Sequence, residues 1–176
     1  MIKKNGFILS KKKKQGFTMI EMIAAIFMVS VGIAAVFSLV IQSTSYVDLA
    51  TYRLTAIYLA QEGVEVARNI RDSNILKMGR TGIGDWDDNF SLGSDYYNFD
   101  YRSQAIPDNT NCSGKNYLQI SGGFYVCSSN ASAQFQRKIR LNQLSSDKIE
   151  VVVNVFWTDK GKTNGVSVSE IIYKWY

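Results

Sequence analysis

Gln15-Gly16-Phe17-Thr18-Met19-Ile20-Glu21 stands between a run of lysines and a long apolar stretch, and its reading decides the fold. The apolar stretch runs from Phe17 to Ile41, 25 residues whose only charge is Glu21. At about 1.5 Å per residue, a helix of this length reaches about 37 Å, enough for a hydrocarbon core of about 30 Å. A cleavable secretory signal has a shorter apolar region, and no A-x-A-like site follows here before Gln42. A plain signal anchor fits the length but leaves Glu21 unexplained. A carboxylate in a spanning helix costs roughly 2.5–3.5 kcal/mol, which snorkelling at the membrane edge reduces.

Charge follows the same division. The chain has 176 residues and a formal net charge of +5. Lys3, Lys4, Lys11, Lys12, Lys13 and Lys14 all precede Gly16, with no acid among them. The remainder holds 14 basic residues against 15 acidic ones. The basic pI therefore describes the first sixteen residues. It reads as a topology signal that keeps this end cytoplasmic and sends everything after residue 41 across the membrane. No interleaved aromatics accompany the lysines, so direct nucleic-acid binding is not expected. With 46% hydrophobic and 20% charged residues, neither disorder nor a multi-span protein is indicated.

Lysine-rich leader, glycine, Phe, glutamate at the fifth following position and an apolar helix together resemble the N-terminus of type IV prepilins and pseudopilins. The resemblance implies cleavage between Gly16 and Phe17 by a prepilin peptidase, an aspartyl enzyme of which this chain is the substrate. Phe17 would then be N-methylated. Glycine suits the scissile position because it lets the peptidase approach the backbone closely. Cleavage would create an α-ammonium at Phe17, and Glu21 can neutralise that charge on its own or a neighbouring subunit. In lipid an unpaired carboxylate is costly, so such pairing favours assembly. Ala24, Ala25, Gly32, Ala34 and Ala35 permit close approach of other pilin helices. Major pilins often carry a proline in the middle of this helix. Its absence here favours a minor pilin or a pseudopilin of a type II secretion or DNA-uptake system.

Beyond Ile41 the helix is expected to continue as an amphipathic segment ending near residues 72–74. Val47, Ala50, Leu54, Ile57, Val64 and Ala67 form its apolar stripe, and Gln61, Glu62 and Glu65 read as a solvated face. The last forty residues alternate like strands: Gln134–Leu144, Lys148–Thr158 and Gly165–Tyr176, joined by hairpins. Val151, Val153, Val155 and Trp157 share one face of the second strand, and Ile171, Tyr173 and Trp175 share one face of the third. The expected fold is α+β and type IV pilin-like: a long N-terminal helix, transmembrane then amphipathic, packed on a C-terminal antiparallel sheet. The expected division is leader 1–16, membrane half 17–41, amphipathic half 42–74 and exported head 75–176. Two runs, Tyr58–Glu65 and Arg68–Asp72, resemble the minor-pilin V and pseudopilin I branch, and Val153–Gly161 resembles the closing hairpin of minor-pilin V proteins.

Residues 77–134 read as loops with short strands, among them Tyr96–Arg102, Tyr117–Ile120 and Gly123–Cys127. Cys112 and Cys127 lie in the exported part, where an oxidising compartment allows a disulfide; two free thiols are the alternative. A metal site on these cysteines lacks partners, since the chain has no histidine. Asp85, Asp87 and Asp88 form a weak calcium candidate without EF-hand spacing. No cofactor is expected. Without histidine, a nucleophile elbow or a metal-ligand set, enzymatic function is not expected either. The expected partners are prepilin peptidase, other pilins or pseudopilins, and membrane lipid before assembly. The expected location is the bacterial inner membrane, then a pilus or pseudopilus. A membrane-tethered adhesin or sugar-binding module is the alternative of another class, with Trp86, Tyr96, Tyr97, Phe99 and Tyr101 as its aromatics.

Overall fold

A computed structural model describes residues 16–175. One helix, α1, runs from Met19 to Thr81, followed by six strands. The chain divides into two units, 1–46 and 47–176.

In the first unit the described chain is helical from Met19 and carries no internal core. Its large apolar side chains, from Phe17 at 83% exposure to Ile33 at 52%, all face outward. It is long and apolar enough to cross a membrane by length and composition.

The second unit packs the C-terminal half of α1 on an antiparallel sheet, consistent with the expected α+β, pilin-like architecture. The strands are β1 (Tyr97–Asn98), β2 (Tyr117–Ser121), β3 (Phe124–Ser128), β4 (Phe135–Ser145), β5 (Lys148–Asp159) and β6 (Lys162–Tyr173). Their order is β3-β2-β4-β5-β6, with β1 also paired to β4. Register brings Phe135, Arg137, Ile139 and Leu141 beside Trp157, Val155, Val153 and Val151. All eight side chains are buried against the helix side. The alternation of β6 places Val166, Val168, Glu170 and Ile172 inward, while Ile171 and Tyr173 stay exposed on the outer face.

Four details differ from the sequence reading. The helix passes 74 and ends at Thr81, where Gly82 adopts φ +65° and its N–H bonds to the Met78 carbonyl. That glycine, rather than the polar residues 72–74, terminates the helix. The strand read over Tyr96–Arg102 is only Tyr97–Asn98, because Asp100 turns the chain by accepting the Arg102 N–H. The last strand starts at Lys162, three residues early. Lys160 and Gly161 both have positive φ and form a two-residue hairpin turn, leaving Lys162–Asn164 free to pair.

The fourth difference is the buried stripe of the helix. Ala56, Leu59, Ala60, Gly63, Val64, Ala67, Ile70 and Asn74 face the sheet. Val47, Ala50 and Leu54 do not: all three are exposed, and Ile57 is only half-buried. Side-chain size matters at the closest approach. The inner face of the sheet is already filled by Phe135, Arg137, Trp157 and the β5 valines, so close approach requires small helix residues. At Gly63 a Cβ would lie 2.7 Å from Phe99 Cζ and 2.9 Å from Val153 Cγ1.

Candidate functional site

The residues singled out at the N-terminus meet at the start of α1. Gly16, Phe17 and Thr18 precede the helix. The carboxylate of Glu21 accepts hydrogen bonds from the Thr18 backbone N–H and the Thr18 hydroxyl, both at 2.8 Å. The Glu21 N–H in turn lies 3.4 Å from Thr18 Oγ1. This is a reciprocal capping box, with Thr18 as N-cap and Glu21 three residues on. It satisfies donors that the first helical turn otherwise leaves open. The pattern Thr-x-x-Glu was legible in the sequence, but the capping role of Thr18 was missed because the glutamate was read for its charge alone. The cap also stops the helix short of the Gly16–Phe17 peptide bond. Phe17 is 83% exposed.

Further along the same unit, Val29, Gly32, Ile33, Val36, Phe37 and Val40 line an apolar notch. Nothing lies within 4 Å of a Cβ placed on Gly32. The missing side chain makes a depression into which a side chain from another helix can fit.

The head carries the other residues named from sequence. Cys112 and Cys127 are joined by a disulfide, both buried. Beside it, the buried Asp100 carboxylate accepts the Cys127 N–H at 3.1 Å, the Arg102 N–H at 2.9 Å and the Arg102 guanidinium at 2.6 Å. Asp108 accepts the Ser103 hydroxyl at 2.6 Å and the Asn111 N–H at 2.8 Å. Burial pushes both carboxyls up, but these donors outweigh it and hold both below the usual carboxylate range. Asp100 and the two sulfurs lie close enough to suggest a metal triad. The disulfide removes both thiolates and Arg102 occupies the carboxylate, so this chemistry is structural.

Asp85 and Asp88 serve the loop after α1. Asp85 Oδ1 accepts the Trp86 N–H at 2.8 Å and the Lys174 ammonium at 3.2 Å, while Asp88 Oδ2 accepts the Asp85 N–H at 3.0 Å. Those donors lower the Asp85 pKa, the Trp86 N–H first. Among the aromatics, Trp86 and Phe99 are core residues, whereas Tyr96 and Tyr101 remain more than 40% exposed. Tyr101 stacks on Phe124, centroids 4.9 Å apart. Asp100, Asp108 and Arg137 are buried charges that escaped sequence reading; Arg137 lies under the helix, with Glu62 at 3.1 Å, so Glu62 is not simply part of a solvated face.

Residues 11–37 match the family model described as the prokaryotic N-terminal methylation motif. That motif supports a type IV pilin or pseudopilin, and points to a structural subunit rather than an enzyme. It implies processing by prepilin peptidase and assembly with other pilins, and with the apolar helix it fits an inner-membrane anchor. No curated protein and no solved structure matches the chain.

Proposed function

We propose that the chain is a minor type IV pilin, cut after Gly16, N-methylated at Phe17 and incorporated into a pilus through its N-terminal helix. The match of residues 11–37 to the methylation motif carries this reading. Two features of the structure support it. The Thr18–Glu21 cap keeps the proposed scissile bond ahead of the helix, where a peptidase can bind it extended. The helix also exposes more apolar surface than a solitary anchor requires. In the head unit, Val47, Leu54 and Tyr58 remain 53–62% exposed. Contiguous exposed apolar surface of this kind marks association sites.

In this reading the membrane half spans residues 17–41 and the exported head follows the helix. The leader, apart from Gly16, lies outside the described residues. Before assembly lipid covers the apolar helix; afterwards other subunits do. Glu21 provides the charge that pairs with a Phe17 ammonium. A pseudopilin of a secretion or DNA-uptake system is the second reading, and the absence of proline from α1 fits it as well as it fits a minor pilin.

Intact mass of the protein from membranes, with and without prepilin peptidase, is the test. The expected product starts at Phe17, with or without one methyl group, only when the peptidase is present. A chain of unchanged length in both strains overturns the proposal. Glu21→Ala is expected to be cut normally but lost from sheared filaments.

A further inference from the structure

Three Asn-x-Ser triplets fall in the head: Asn89-Phe90-Ser91, Asn111-Cys112-Ser113 and Asn130-Ala131-Ser132. Such a triplet is the acceptor pattern for N-linked glycosylation when it lies on the surface of an exported domain. The chemistry needs an accessible carboxamide whose nitrogen is uncommitted, so the structure separates the three.

Asn89 sits in a left-handed backbone conformation, φ 67°, and its amide nitrogen points to Asn74 Oδ1 at 3.4 Å. Asn74 is itself buried and ties the end of α1 to the backbone carbonyls of Trp86 and Asp88. Asn111 donates its amide to Asp108 Oδ2 at 3.0 Å, and the middle residue of its triplet is the buried, disulfide-bonded Cys112. Modifying either would dismantle a packed loop.

Asn130 differs in each respect. It lies in the exposed connection between β3 and β4, with Ala131 and Ser132 also exposed. Its side-chain oxygen accepts the Ser132 N–H at 3.0 Å, and the Ala133 N–H closes the turn onto the Asn130 carbonyl at 3.0 Å. The oxygen is therefore engaged and the turn fixed, while Nδ2 holds no hydrogen bond to the described residues. Ala131, Ser132 and Ala133 border a shallow groove on the outer sheet face, floored by Phe156 and edged by Gln134, Gln136 and Lys138. That face is opposite the helix, so a bulky substituent there disturbs no core contact.

We infer that Asn130 is a glycosylation site, accepting a saccharide from a polyisoprenyl-diphosphate donor through a membrane oligosaccharyltransferase. In the step, Nδ2 forms a bond to the anomeric carbon as the bond from that carbon to the diphosphate oxygen breaks. The diphosphate departs with the electron pair, and one amide proton passes to a base of the transferase. The inference rests on export of the head, which is part of the proposed function.

The full chain, purified from membranes of its native host, is reduced and digested with trypsin. The peptide from Asn116 to Arg137 contains Asn130 and no other triplet. The expected spectrum shows this peptide carrying a saccharide, and Asn130→Gln removes all of it while Asn111→Gln and Asn89→Gln leave it unchanged. An unmodified peptide in the wild-type chain overturns the inference. The same digest reads the N-terminus. A Phe17 start with unmodified Asn130 rejects the glycan alone, and a Gln15 start, which trypsin makes from an unprocessed chain by cutting after Lys14, with glycosylated Asn130 rejects the processing alone.

Discussion

The Glu62 carboxylate lies 3.1 Å from the guanidinium of Arg137, whose side chain is fully buried between helix and sheet. Arg137 also donates to the Leu59 carbonyl at 2.9 Å and sits over the Phe99 ring at 4.4 Å. Its Nε and Nη2 have no hydrogen-bond partner among the described residues. Glu62 is the counter-ion that makes burial of this cation tolerable. Glu62→Ala is expected to destabilise the head by about 2–3 kcal/mol, the cost of leaving a buried charge under-compensated. The double change Glu62→Ala with Arg137→Met should recover most of that loss, measured by urea unfolding of the full chain in detergent.

Gly63 tests the closeness of helix and sheet. Alanine would gain about 1 kcal/mol of helix propensity but costs about 1–3 kcal/mol of overpacking against Phe99 and Val153. The expected result is a net loss at Gly63→Ala, whereas Gly32→Ala, with open space around it, should leave unfolding of the head unchanged. Equal stability of both variants would show that the interface relaxes freely.

The disulfide closes 15 residues of chain. In the chain-entropy model a loop of this size contributes about 3 kcal/mol. Replacing Cys112 and Cys127 together by Ser should lower the urea midpoint accordingly and steepen the slope, because the unfolded chain without the cross-link exposes more surface.

Asp100 and Asp108 set the acid limb of stability. Both pKa values lie below the unfolded value of about 3.9. A depressed carboxyl contributes stability that is fully present above that value and fades as pH falls through the folded one. The head should therefore hold to about pH 4 and lose stability below it. Asp108→Asn should be less stable at neutral pH, with a flatter acid limb. A pH titration of the unfolding free energy reads both.

The exposed side of the helix predicts a separation of folding from assembly. Leu54→Glu and Tyr58→Glu alter side chains that are 53% and 62% exposed. Folding and cleavage should be unaffected, within about 0.5 kcal/mol for stability. Incorporation into sheared filaments should fall at least tenfold, scored by immunoblot against the membrane-retained protein.

The sequence alone determined the long apolar helix, the methylation motif and the C-terminal strands, for reasons of covalent order and periodicity. Lys11–Lys14, Gly16, Phe17, Glu21 and the apolar run to Ile41 are contiguous, so their meaning needs no tertiary partner. Alternation at Val151, Val153, Val155 and Trp157 likewise gave their common face. What only the tertiary structure decided depends on contacts distant in sequence. The helix has two apolar sides, and hydrophobicity cannot tell which one the sheet selects; the side holding Ala56, Leu59, Ala60, Gly63, Ala67 and Ile70 is buried, and the side holding Val47, Ala50 and Leu54 is not. Glu62 gained its partner from a residue 75 positions away. Three Asn-x-Ser triplets are equivalent as text, and of their three asparagines Asn130 alone has an amide nitrogen without a hydrogen bond among the described residues.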